Sequence, residues 1–299
     1  MNIPPYFNQY KKMIEEYLMD ALTNKDSDID LIIESARYSV MAGGKRMRGA
    51  IVLAIGSLYD DTEKFLPLAA AVEMIHAYSL IHDDLPAMDD DDFRRGKLSN
   101  HKVYGEDIAI LAGDFLVTKA YGIIADGLMG NGFDAQNVVK VVGYLSSALG
   151  SQGMVGGQVM DIKSSKDICC DIGKLRKIHE LKTGRFIRAS FICPLILCTG
   201  KDDLPGVFSL VEYADTLGLL FQVIDDILDE TSDQETLGKP IGSDKDNNKA
   251  TYVSLMGLAG AKKYAKNIYE EMIGSLDVLE ERIKNVLMDF AKIVYKRNN

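Results

Sequence analysis

Residues Ala214-Asp215-Thr216-Leu217-Gly218-Leu219-Leu220-Phe221-Gln222-Val223-Ile224-Asp225-Asp226-Ile227-Leu228-Asp229 carry two patterns at once. Ala214, Leu217, Phe221, Ile224 and Leu228 recur at steps of three and four, the spacing of one helix face. Gln222, Asp225, Asp226 and Asp229 form a separate polar stripe, so one helix packs on one side and offers carboxylates on the other. Helical periodicity also runs roughly over residues 5–22, 27–42, 47–60, 65–84, 106–127, 135–150, 171–199, 208–230, 251–274 and 276–296, and sustained β alternation is missing. Gly130-Asn131-Gly132 and the stretch from Thr231 to Lys249 read as loops, neither long nor polar enough to separate domains. The pattern predicts an all-α fold of about ten helices in a single domain spanning residues 1–299.

Composition narrows the function classes. The 299 residues are 47% hydrophobic, enough for a large core, and the formal charge is −10. Scattered basic residues on an acidic chain exclude nucleic acid as the expected partner. The reading by eye finds no apolar run of transmembrane length, and Met1-Asn2-Ile3-Pro4-Pro5-Tyr6 lacks the order of a signal peptide. A soluble cytoplasmic protein is expected, without membrane insertion. Cys169, Cys170, Cys193 and Cys198 have no zinc-type spacing and are read as reduced thiols.

A second acidic run, Asp83-Asp84-Leu85-Pro86-Ala87-Met88-Asp89 with Asp90, Asp91 and Asp92 behind it, also ends an apolar helical stretch. Concentrated like charges are costly in a folded chain unless a cation neutralises them, and oxygen-only donors suit magnesium or a similar hard ion. Glu73, His76, Leu80, Asp83 and Asp84 share one helix side. Pro86 should end that helix and let the chain bring Asp89 back towards Asp83. Asp225 and Asp229 sit one turn apart without interruption and can share a metal.

Carboxylates and metal alone would repel an anionic ligand, so cations are needed. In Gly43-Gly44-Lys45-Arg46-Met47-Arg48 the glycine pair breaks one helix, and the next is expected to start with Lys45 and Arg48 on one face as a diphosphate cradle. Arg94-Arg95, Lys182-Thr183-Gly184-Arg185 and Leu237-Gly238-Lys239 place further cations beside chain breaks.

These stretches, with His76 through Gly96, Ala109 to Asp114, Gly156-Gly157-Gln158 and Asp161, and Phe221 through Asp229, occur in one order over almost the whole chain. They resemble the trans-prenyltransferases, the short-chain isoprenyl diphosphate synthases, and most closely the bacterial-type farnesyl diphosphate synthases. The resemblance implies an all-helical bundle around a central substrate cavity, usually homodimeric. Its reaction would be head-to-tail condensation of isopentenyl diphosphate with dimethylallyl or geranyl diphosphate, using about three Mg2+ ions. By motif, Asp83 and Asp89 would ligate two metals with Asp84 in support, and Asp225, Asp226 and Asp229 the third. Arg94, Lys182 and Lys239 would grip the allylic diphosphate, with Lys249 nearby. Lys45, Arg48, His76 and Arg95 would hold isopentenyl diphosphate, and Thr183, Gln158 and Gln222 would line the reacting centre. Tyr78 and Ser79, below the first aspartates, would set chain length, and an aromatic there is similar to farnesyl-producing members. Two departures stand out: Gly49 replaces a common proline, with a loosened helix start as the expected effect, and Phe93 replaces leucine.

A geranylgeranyl or geranyl synthase would share these catalytic residues. A class I terpene cyclase fits less well, given two all-aspartate motifs and the Lys45/Arg48 pair. A noncatalytic subunit of a heteromeric synthase would tolerate loss of the metal ligands, and both clusters are complete.

Overall fold

The computed structural model describes residues 4–23, 29–164, 171–203, 208–231 and 250–296. Backbone contacts group the chain into two compact units, one comprising residues 5–139 and the other taking up most of the remainder. The described residues are helical apart from turns and one two-stranded ribbon.

In the first unit, α1 (Pro5–Ala21), α2 (Asp30–Val40) and α3 (Met47–Gly56) surround α4 (Leu66–Asp83). A 3-10 turn over Thr62–Phe65 leads into α4, and Pro67 sits in its first turn, where a missing N–H costs nothing. Val72, Met74, Ile75 and Ile81 of α4 are buried. The chain then forms a ribbon of β1 (Phe93–Arg94) and β2 (Lys97–Leu98), antiparallel, with Phe93 opposite Leu98. Short α5 (Asn100–Tyr104) and long α6 (Glu106–Gly130) complete the unit. Ala109, Ala112, Gly113 and Leu116 make the buried face of α6 against α4. A Cβ on Gly113 would fall 2.2 Å from His82 Nε2, so only glycine lets that ring lie against α6 and bond the Ile110 carbonyl at 3.1 Å.

Helix α7 (Ala135–Leu149) carries the division between units. The second unit holds α8 (Met154–Ser164), α9 (Ile172–His179), a π-helical turn (Glu180–Gly184), α10 (Arg185–Thr199), α11 (Leu210–Thr231), α12 (Tyr252–Ser275) and α13 (Glu281–Tyr295). Arg188 of α10 forks onto both carboxylate oxygens of Asp215 on α11. The π turn lies against α8 on one side and α11 on another. Glycine makes both contacts possible: a Cβ on Gly157 would meet Lys182 N at 2.2 Å, and one on Gly218 would meet Gly184 Cα at 2.9 Å.

Ten helices expected become thirteen α-helices among the described residues. The short α5 and the glycine-bearing α8 were not anticipated, and the apolar run over 171–199 is split by the π turn. Two helical segments, Thr62–Asp83 and Glu106–Gly130, are long and apolar enough to cross a membrane by length and composition, against the reading by eye. The first is largely buried in the chain's own core, whereas the second leaves Ile110, Leu111 and Met129 exposed. Cys193 is buried and Cys198 half-buried, neither in a disulfide among the described residues, and Cys169 and Cys170 lie outside those residues.

The glycine contacts generate a prediction. Gly157→Ala forces a methyl group into the Lys182 backbone and should destabilise the protein by about 1–3 kcal/mol, the usual cost of overpacking. Thermal unfolding followed by circular dichroism measures this; an unchanged midpoint would show that the π turn shifts without penalty.

Candidate active site

Helix α4 ends at Asp83, with Asp84 as its C-cap. The chain turns at Pro86, and the Asp89 amide then donates to the Asp83 carbonyl at 2.9 Å while the Asp90 amide reaches Leu85 O at 3.2 Å. The return expected from the proline is thus present in the backbone. Asp84 is only 2% exposed and accepts hydrogen bonds from Arg94 Nε at 2.9 Å and from Arg94 Nη2, which also donates to Asp91 Oδ2 at 2.9 Å. Burial pushes the Asp84 carboxyl up, with Arg94 pulling the other way. Burial also works against charge on Arg94, but Asp84 and Asp91 outweigh it and hold the guanidinium protonated. The metal support expected of Asp84 and the substrate grip expected of Arg94 therefore fall on two groups bonded to each other.

The basic turn lies in the same unit. Helix α3 begins at Met47 rather than Lys45, because Arg46 is the N-cap in the left-handed conformation, φ 49°. Lys45 is exposed and precedes the helix, and Arg48 occupies its first turn. Sequence reasoning missed what Arg46 does. It is 3% exposed, meets Glu15 Oε1 at 3.3 Å and Glu73 Oε2 at 3.8 Å, and donates to Val40 O at 2.6 Å. Glu73 Oε1 takes the Gly49 amide at 2.9 Å. Gly49 is accordingly not a loosened helix start: its N–H is used, proline could not supply it, and Ile14 and Ala69 leave no room for a Cβ. Glu73 could have been found only by asking which acid answers a buried arginine.

Arg95, with φ 55°, donates to Gly43 O, and its guanidinium lies where a Gly44 Cβ would be. The glycine pair and the arginine after the aspartates, Gly43 and Arg95 being 52 residues apart, therefore form one surface. His76 feels this surface: burial first, then the charges of Arg48, Arg95, Arg94 and Arg46, drive its pKa well below the usual value and keep the ring neutral. Three of the four residues expected to hold isopentenyl diphosphate, Arg48, His76 and Arg95, thus share one electropositive environment, with Lys45 in the adjoining turn. Tyr78 meets the His82 ring edge-on at 5.6 Å, and burial, with Tyr121 and Asp83 adding to it, raises its hydroxyl pKa. Ser79 Oγ donates to His76 O at 2.9 Å.

In the second unit, α8 carries Gln158 and Asp161, and Asp161 Oδ2 receives Lys182 Nζ at 2.8 Å. Lys182 and Thr183 stand in the π turn, a local widening of the helix that is frequent at functional sites. On α11, Gln222 and Asp225 are half-buried, but Asp226 and Asp229 are buried. The polar stripe is therefore partly internal: Leu220, Val223 and Ile227 are buried too, and Asp226 Oδ2 accepts the Tyr252 amide at 2.7 Å at the start of α12. Lys239 and Lys249 lie outside the described residues. Within each unit the aspartates, Asp83 and Asp89 in the first and Asp225 and Asp229 in the second, offer carboxylate oxygen, a donor type that fits a hard divalent cation.

The neutral His76 has a measurable sign. An unfolded histidine takes a proton near pH 6.5, whereas His76 in the fold does so only well below that, so acidification through this window favours unfolding. Between about pH 7.5 and 5.5 the wild type should lose stability more steeply than His76→Gln, by up to about 1.4 kcal/mol per pH unit. Parallel denaturant titrations check it, and identical slopes would place a protonated ring in the fold.

Comparison with known proteins identifies the family. The profile of the polyprenyl synthetase family matches residues 29–290. The farnesyl diphosphate synthase of Bacillus subtilis is 41% identical over 293 residues, 97% of this chain and 96% of its own. The geranylgeranyl diphosphate synthase of Cyanophora paradoxa is 39% identical over 299 residues, 100% and 97% of the two chains. Among solved structures, a Helicobacter pylori geranyltransferase complexed with magnesium and isoprenyl diphosphate superposes with TM-score 0.82 at 28% identity, covering 99% of this chain and 98% of that one. With both aspartate clusters, the glycine-basic turn and the Lys182-Thr183 turn in family order, the chain belongs to the polyprenyl synthetase family and is a trans-prenyltransferase.

Proposed function

We propose that this prenyltransferase condenses isopentenyl diphosphate with dimethylallyl and then geranyl diphosphate to give farnesyl diphosphate. The observation that carries the reading is the chain reversal after α4, which returns Asp89 to Asp83 above Tyr78 and Ser79. Asp83 and Asp89, with Asp84 positioned by Arg94, and Asp225, Asp226 and Asp229 would hold about three Mg2+ ions. Bound magnesium would neutralise the negative charge that builds on the departing allylic diphosphate. Arg94 and Lys182, with Lys239 and Lys249, would grip that diphosphate and release Asp84 and Asp161 in part to do so. Lys45, Arg48 and Arg95 would hold isopentenyl diphosphate. A neutral His76 donates a hydrogen bond there without adding to the positive charge. Gln158, Thr183 and Gln222 would line the reacting carbons, the last two turning oxygen dipoles towards the allylic cation. The released diphosphate would take up the final proton, since none of these side chains is assigned as its base.

Chain length turns on Tyr78. Identity does not separate the alternatives, because the farnesyl and geranylgeranyl synthases named above are almost equally similar. Ser79 lies one helical turn, about 6 Å, below Asp83 with Tyr78 beside it, and an aromatic ring there is suited to stop an apolar tail after fifteen carbons. We further assign one catalytic domain over residues 1–299, a cytoplasmic enzyme, and a homodimer whose second copy covers the exposed Ile110, Leu111 and Met129 of α6. The noncatalytic-subunit reading loses ground because both acidic clusters are complete.

The test is product analysis on the purified chain with magnesium, isopentenyl diphosphate and either allylic primer. Dephosphorylated C15 alcohol should dominate, and Tyr78→Ala should shift the product to C20 or longer; C20 from the wild type would overturn the chain-length assignment. Asp83→Ala and Asp225→Ala should each cut turnover by at least about a hundredfold with the helical circular dichroism intact. Near-normal turnover in either variant would remove its metal role.

A further inference from the structure

Asp90, Asp92 and His101 follow the first aspartate motif and belong to no role assigned above. One carboxylate oxygen from each aspartate and one ring nitrogen of His101 all lie within 4.8 Å of one another. Both aspartates are exposed, but His101 is 7% exposed, and its Nε2 has no hydrogen-bond partner. Its Nδ1 lies 3.2 Å from Ser99 Oγ, which donates to the Asp92 carbonyl at 3.3 Å. In the tautomer protonated at Nδ1, with the serine hydrogen on that carbonyl, Nε2 presents a bare, buried lone pair. A hydrogen bond of this kind on the remote nitrogen is how metal-binding histidines fix their tautomer.

The chain beside the ring is also anchored. Its neighbour Asn100 is buried and donates to Ser35 O at 2.9 Å and Ser39 Oγ at 2.8 Å, and accepts from Ser35 Oγ at 2.9 Å. Tyr38 on the same helix bonds Leu98 O at 2.8 Å. Helix α2 thus holds the chain on the N-terminal side of the histidine, while the two exposed carboxylates can close the short distance to a common ion. Lys102 Nζ, 2.7 Å from Asp92 Oδ1, now supplies the positive charge there.

We propose that Asp90, Asp92 and His101 form a second divalent-cation site, separate from the magnesium carboxylates. An imidazole nitrogen with two carboxylates favours the borderline ions Zn2+, Co2+ or Ni2+ over magnesium, with water completing the shell. The ion displaces Lys102 from Asp92.

The test uses the full chain without substrate in excess magnesium, which fills the oxygen-only clusters, and titrates in Zn2+ by calorimetry. One zinc should bind, and the double variant Asp90→Asn/Asp92→Asn should weaken it at least about tenfold. X-ray absorption at the zinc edge should show imidazole scattering that His101→Gln abolishes, and Lys102→Ala should tighten binding. If His101→Gln misfolds, the aspartate variants carry the test alone. No zinc bound above magnesium competition, or equal affinity in the aspartate variants, overturns the proposal. Because the readout is binding, failure of the prenyl-transfer assignment would leave it unaffected.

Discussion

Charge compensation under partial burial organises the first unit of this protein. Arg46 is almost wholly enclosed, and Glu15 and Glu73 answer it from two different helices. Removing either partner of a buried pair typically costs 3–5 kcal/mol, roughly, because the survivor is left charged in a low dielectric. Glu73 in turn holds the Gly49 amide, so the arginine, the acid and the first turn of α3 are one unit of structure. Once Arg46 is spent in this way, Arg48 and Arg95 keep a positive potential around a neutral His76. The arrangement distinguishes Arg46, held by two acids of the fold, from the arginines that the proposed function assigns to an anionic ligand.

Much of this was legible in the chain. Steps of three and four identified α11, and Pro86 predicted the return of Asp89 to Asp83 because proline cannot continue a helix. What escaped was information carried by packing. The continuous apolar pattern over 171–199 hides the π turn, since adding one residue to a turn changes no composition. No helix was expected over Gly156 and Gly157, yet they sit inside α8, where Gly157 admits the Lys182 backbone. A stripe of aspartates looks solvent-facing from periodicity alone, whereas Asp226 is buried because it holds the first amide of α12. Helix α3 starts two residues late for the same kind of reason: Arg46 is pulled inward by acids distant in sequence.

Arg46, Asp90 and Arg95 share another property: each is a non-glycine residue in the left-handed region. Such a backbone costs an L-residue roughly 1–2 kcal/mol, and glycine would relieve it. A screen that rewards thermal stability alone would thus favour glycine at Arg95, erasing the guanidinium that packs on Gly44 and bonds the Gly43 carbonyl. At Arg46 the gain would be outweighed by two stranded glutamates. The two arginines look alike in the backbone, but Arg46 answers two glutamates of the fold, whereas Arg95 is given a ligand by the proposed function, and on that reading it is where heat-selected variants should lose function first.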